Sequence, residues 1–87
     1  MNIVQFFGHV LSEKIGQKAI ACSGIIRLSI KDSNKDPETI TANELKEVFE
    51  NSLLERLQRI GFDNANEVSN YMTSQLMKNH AIFVMNA

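Results

Sequence analysis

The sequence is poor in the residues that build disulfide frameworks and phosphate loops. Its 87 residues include one cysteine, one proline and four glycines. A lone thiol cannot form an internal disulfide, so Cys22 excludes a disulfide scaffold and indicates a reducing compartment. The glycines are scattered and form no phosphate-binding loop. We expect Cys22 to be a buried structural thiol, because no nucleophile motif surrounds it.

Long apolar segments and a strong excess of one charge are also missing. No apolar run approaches the roughly 20 residues that a membrane-spanning helix needs. The N-terminus lacks the basic region and apolar core of a signal peptide. The formal net charge of −1 argues against a dedicated binder of nucleic acids or anionic membranes. We therefore expect a cytoplasmic protein with neither a membrane nor a nucleic acid as partner.

The charge that is present is distributed unevenly along the chain. Residues 1–35 carry five Lys/Arg and two Asp/Glu, a net charge of +3. Residues 36–63 carry three Lys/Arg and seven Asp/Glu, a net charge of −4. Such polarity can orient a charged partner. The length fits one small domain over residues 1–87.

The first third of the chain has the composition of β-strands. Residues 2–11 and 18–31 are rich in branched and aromatic side chains, which predicts two strands. The connection between them has hairpin length, and Gly16 can supply a positive φ. Ser23 and Gly24 interrupt the second segment, which predicts a β-bulge or bend there.

The hydrophobic period changes after Pro37, where a helical pattern begins. Thr41 and Glu44 fit a capping box at its start, and Gly61 has the position of a left-handed C-cap. An Asn-Ala-Asn-Glu segment then predicts a second helix near residues 65–78. The residues of the first helix that repeat at intervals of three and four are Leu45, Val48, Phe49, Ser52, Leu53, Leu57 and Ile60.

These elements predict an α+β fold. Residues 81–86 (AIFVMN) are typical of a third strand, which makes the order ββααβ. The corresponding architecture is a three-stranded, mostly antiparallel sheet packed against two helices. The third strand can pair with either the first or the second.

The first predicted strand is apolar on both of its faces, whereas a half-exposed antiparallel sheet alternates apolar and polar residues. If both helices cover one face of the sheet, the other face exposes an apolar cluster large enough to mark an interface. Alternatively, each helix covers one face, or a bulge at Ser23 and Gly24 swaps the faces, and the whole sheet is core. The candidate partner-binding residues on the exposed face are Ile3, Phe7, Leu11 and Ile25.

The segment DSNKDPETITANE, residues 32–44 and here called the acidic loop, has the oxygen spacing of a calcium loop. Its candidate calcium ligands are Asp32, Asn34, Asp36, Glu38 and Glu44. The first four occupy positions 1, 3, 5 and 7 of the EF-hand pattern, and Glu44 closes the loop one residue late. Pro37 stands where that pattern needs glycine. The alternative is that the same residues form a turn and cap the following helix.

Taken together, the patterns predict a non-enzymatic protein–protein interaction module. It binds through the apolar sheet face, either to its own copy or to a partner of the inhibitor or accessory type. Symmetric dimers are the commonest soluble assemblies, which places a homodimer first. The alternative is a weak calcium-binding module that uses the acidic loop. We expect no catalytic residues and, apart from Ca²⁺ in that alternative, no cofactor, since His9 and His80 lack the spacing of a zinc site.

Overall fold

The computed structural model describes residues 2–81, and these residues form four helices joined by short connections. The third helix contains one π-helical turn between two α-helical segments. The bounds are Ile3–Ile15 for α1; Ala19–Asp32 for α2; Ala42–Val48, Phe49–Leu53 (the π-turn) and Leu54–Ile60 for α3; and Ala65–Lys78 for α4.

The prediction of an α+β fold with a three-stranded sheet is wrong, because both predicted N-terminal strands are helices and no strand occurs among residues 2–81. The buried positions explain the error. They are Val4, Phe7, Gly8 and Leu11 in α1, and Cys22, Ile26, Ser29 and Ile30 in α2. Intervals of three and four place such residues on one side of a helix but on both sides of a strand. The two-sided apolar character was therefore a helical signal. The third predicted strand lies, apart from Ala81, outside the described residues.

The ends of α1 are set by local hydrogen bonds. The Gln5 amide donates to Asn2 Oδ1 at 2.8 Å, and the Asn2 amide donates to Gln5 Oε1 at 3.2 Å, which makes a capping box. At the other end Gly16 has a φ of 72° and its amide donates to the Ser12 carbonyl at 2.9 Å. Gly16 thus provides the positive φ that was predicted, but it ends a helix and does not form a hairpin turn.

Helices α1 and α2 approach each other closely where Gly8 faces Ser23. A Cβ atom added at Gly8 would lie 2.9 Å from Ser23 Cα and 3.0 Å from Ser23 Cβ. Only glycine at this point allows the two backbones to come so near. Ser23 and Gly24 lie within α2, so the predicted β-bulge is also wrong.

The two helices predicted between Pro37 and residue 78 are confirmed. Thr41 and Glu44 form the expected capping box, in which the Thr41 amide donates to Glu44 Oε1 at 2.9 Å and the Glu44 amide donates to Thr41 Oγ1 at 3.2 Å. Gly61 ends α3 with a φ of 106°. Helix α4 covers residues 65–78, as predicted. In both helices the 3.6-residue period identified most of the buried side, although Ile60, which the repeat includes, is 54% exposed.

The π-turn in α3 was not predicted. It is accompanied by two side-chain hydrogen bonds: Ser69 Oγ of α4 donates to the Phe49 carbonyl at 2.5 Å, and the Ser52 hydroxyl within the turn lies 2.5 Å from the hydroxyl of Ser33, which follows α2. The first of these bonds is buried. It satisfies a carbonyl in a region where the regular helical bonding pattern is altered.

The core is one cluster to which all four helices contribute. Near its centre the rings of Phe7 and Phe49 meet edge to face, with centroids 5.4 Å apart. The buried apolar residues are Val4, Phe7, Leu11, Cys22, Ile26, Ile30, Ile40, Leu45, Val48, Phe49, Leu53, Leu57, Ala65, Val68, Met72 and Leu76. Within residues 2–81 no helix combines the length and apolarity required to cross a membrane.

Candidate interaction surface

The outward side of α2 is apolar where a solvent-facing helix surface is normally polar. It lies opposite the buried Cys22, Ile26 and Ile30. Two of its large side chains are open to solvent, Ile20 at 83% and Leu28 at 47% of their area. We call this surface the α2 face; it consists of Ile20, Gly24, Arg27, Leu28 and Lys31.

The α2 face also carries two positively charged side chains, Arg27 and Lys31. The Arg27 and Lys31 side chains are exposed, and neither makes a hydrogen bond or ion pair with another described residue. None of the five residues of the face is acidic. The next residue along the chain, Asp32, is paired with Arg56 of α3 at 2.5 Å. The surface therefore combines exposed aliphatic side chains with two free positive charges.

A groove runs between α1 and α2 beside this face. Its volume is about 610 Å³, and its lining residues are Gln5, His9, Ala19, Ile20, Ser23, Gly24 and Arg27. We call it the α1–α2 groove. Its α2 wall consists largely of small side chains, with Ile20 and Arg27 standing on either side of Gly24. A Cβ added at Gly24 would meet none of the described atoms within 4 Å. The groove is therefore open at this point.

Two further grooves are smaller. One, of about 320 Å³, combines Arg27 with Glu38 and Pro37 near the start of α1. The other, of about 430 Å³, lies between α3 and the end of α4 beside Met77, which is 66% exposed. The first mixes opposite charges, and the second lies where the described residues end, so neither indicates a partner.

The predicted partner-binding residues are not an exposed surface. Phe7 and Leu11 are fully buried, and Ile3 and Ile25 are half-buried against the core. The sheet face on which they were placed does not exist among the described residues. Instead, the helical period turns Phe7 and Leu11 toward the other helices.

Three of the five predicted calcium ligands, Asp32, Asp36 and Glu44, make side-chain contacts within the protein. Asp32 is paired with Arg56, as described above, and Asp36 Oδ1 accepts a hydrogen bond from the Glu38 amide at 2.9 Å. Asn34 has a φ of 60° and forms part of the turn that follows α2. Among the described residues no three His, Cys, Asp or Glu side chains are grouped so that they could hold a metal ion. In this structure the acidic loop forms a turn followed by a helix cap.

Glu44, the proposed closing ligand, caps α3. Hydrogen bonding from the Thr41 backbone amide and from Lys35, whose Nζ lies 3.0 Å from Glu44 Oε2, lowers the pKa of the Glu44 carboxyl below its ordinary value. The carboxylate is thus stabilised by the helix N-terminus and one cation.

Cys22 is buried and free, as expected. Burial raises the pKa of the Cys22 thiol, which keeps it protonated and poorly nucleophilic. Its side chain belongs to the core cluster.

No protein family matches this chain, and no match was found among the curated proteins or the solved structures. We therefore infer the function from the geometry of the α2 face and the α1–α2 groove. Sequence reasoning missed the α2 face because the two-residue period of a strand places Ile20 and Arg27 on opposite faces. A period of 3.6, which the Asn2–Gln5 capping box already indicated for the preceding segment, places both on one side.

Proposed function

We propose that this protein is a non-enzymatic interaction domain that binds an acidic partner protein on the α2 face and in the α1–α2 groove. The observation that carries this proposal is the exposure of Ile20 beside Arg27 and Lys31, two exposed cations whose side chains make no ion pair within residues 2–81. Interface centres commonly combine apolar anchors with arginine. Burial of Ile20 would supply binding energy, and the cations would select the partner by its charge.

The charge of the α2 face favours an acidic partner over a second copy of this chain. In a two-fold dimer each copy presents the same surface to the other. Arg27 and Lys31 of both copies would then meet without an acidic residue of the face to neutralise them, and like charges at an interface oppose association. A partner with Asp or Glu beside its apolar residues would pair with both cations.

We place this function in the cytoplasm. The buried free thiol of Cys22 is suited to a reducing compartment. The domain would act by occupying its partner, as an inhibitor or accessory subunit does.

A charge-reversal selection tests the proposal. Random peptides displayed on phage are selected against three forms of the full chain: wild type, the double variant Arg27→Glu/Lys31→Glu, and the control Arg59→Glu/Lys78→Glu. The control reverses two exposed cations on other helices and has the same net charge as the first variant.

We expect wild type and the control to enrich peptides that combine apolar residues with Asp and Glu. The Arg27→Glu/Lys31→Glu variant should lose these peptides or enrich basic ones. The proposal would be overturned if wild type enriched no sequence pattern, or if all three forms enriched the same one.

A further inference from the structure

We infer that the partner segment bound by this surface is an α-helix that crosses α2 at Gly24. This inference rests on the proposed function, because it specifies the structure of the acidic partner. It is carried by a contrast between the two glycines that lie inside helices.

Gly8 has a packing reason within the domain, whereas Gly24 has none among the described residues. A Cβ at Gly8 would collide with the Ser23 backbone, but a Cβ at Gly24 would meet nothing within 4 Å. A glycine inside a helix weakens that helix relative to alanine. At Gly24 no contact within residues 2–81 accounts for this weakening. Its position in the groove wall fits a reason outside residues 2–81, which is the close approach of a partner.

The surroundings of Gly24 fit a crossing helix. Ile20 lies one turn before it, and Arg27 and Leu28 lie one turn after it. A missing side chain between two larger ones forms a notch into which a ridge of another helix can pack. The partner helix would present apolar residues at intervals of three or four to Ile20 and Leu28, and its acidic residues would reach Arg27 and Lys31.

An extended peptide would gain less from this surface. Extended segments usually bind by adding a strand to a sheet edge, where their backbone groups find partners. The described residues contain no strand, and between their first and last turns the backbone amides and carbonyls of α1 and α2 are bonded within their own helices. A helix brings its backbone groups already satisfied, and therefore loses no hydrogen bonds on docking.

The test uses two displayed peptide libraries that share one background and differ only at a central position. In one, peptides of about 20 residues have a helix-forming Ala, Leu and Glu background. In the other, a central proline interrupts the same background and prevents a continuous helix. Both are selected against the wild-type chain, and the peptides obtained are then measured against Gly24→Leu and the control Ser74→Leu. The control adds the same side chain to an exposed position of α4.

We expect enrichment from the helical library alone, with affinities that fall about tenfold or more in Gly24→Leu and stay unchanged in Ser74→Leu. Enrichment from the proline library alone or from both libraries equally, or full affinity in Gly24→Leu, would overturn the helix inference and leave the acidic-partner proposal standing. If neither library is enriched, the proposed function itself fails.

Discussion

The two helical glycines should respond in opposite directions to replacement by alanine. In the free protein Gly24→Ala should stabilise the fold, because alanine is favoured in a helix interior by roughly 0.5–1 kcal/mol and the new Cβ contacts no described atom. For a domain of this length that gain corresponds to a rise in Tm of about 2–8 °C. The variant should raise the urea midpoint without changing the slope of the transition.

Gly8→Ala gains the same helix preference but inserts its Cβ 2.9 Å from Ser23 Cα, so α1 and α2 must separate. Forcing extra volume into a packed contact costs about 1–3 kcal/mol, which exceeds the gain from helix preference. Taking the middle of each range, we expect a net loss of stability of about 1 kcal/mol. Urea unfolding followed by far-UV circular dichroism measures both variants under one condition. The packing of α1 against α2 described above would be refuted if Gly8→Ala were as stable as Gly24→Ala, or if Gly24→Ala destabilised the protein.

Three further predictions concern the hydrogen bonds of Ser69, Glu44 and Asp36. Ser69→Ala should destabilise the protein by about 1–3 kcal/mol in urea unfolding, because the Phe49 carbonyl loses its buried donor; an unchanged midpoint would contradict this role. Glu44→Gln should lower Tm relative to wild type at neutral pH, since the lowered pKa of Glu44 stabilises the fold above its unfolded pKa. That difference in Tm should disappear as the pH falls through the lowered pKa of Glu44 in the folded state. A difference in Tm that grew toward acid pH would contradict the stabilising role of the Glu44 carboxylate. Amide NMR spectra should show the same weak response to calcium in wild type and Asp36→Ala, because Asp36 accepts from a loop amide; a site-specific shift lost in Asp36→Ala would restore the calcium alternative.

The sequence allowed the helices of the second half to be predicted because their ends carry specific signals. The Thr41–Glu44 capping box and the C-cap Gly61 fix boundaries, and the period between them is unambiguous. The first half carries similar signals in Asn2, Gln5 and Gly16, but its branched and aromatic composition outweighed them. In the first half, tertiary packing decides between helix and strand. The spacing of the buried residues is a stronger determinant of the element than its amino-acid composition.

Recognition of the α2 face depended on the same choice between helix and strand. Once residues 18–31 are read as a strand, Gly24 becomes a bulge, and Arg27 is assigned to the face opposite Ile20. The π-turn at Phe49–Leu53 could not be read from the sequence at all, because the hydroxyl bonded to its Phe49 carbonyl comes from Ser69 on another helix. Only the three-dimensional arrangement identifies Ile20, Arg27 and Lys31 as a single exposed face.

A titration of isotope-labelled protein with an acidic peptide from the selection, followed by NMR, addresses the α2 face directly. Amide shifts should concentrate on the α1–α2 groove and the α2 face, and affinity should fall with salt. Ile20→Ser should weaken binding by about tenfold to a hundredfold, from the roughly 1.5–3 kcal/mol that burial of an isoleucine contributes. Shifts confined to α3 and α4, with unchanged affinity in Ile20→Ser, would show that the protein does not bind its partner through α2.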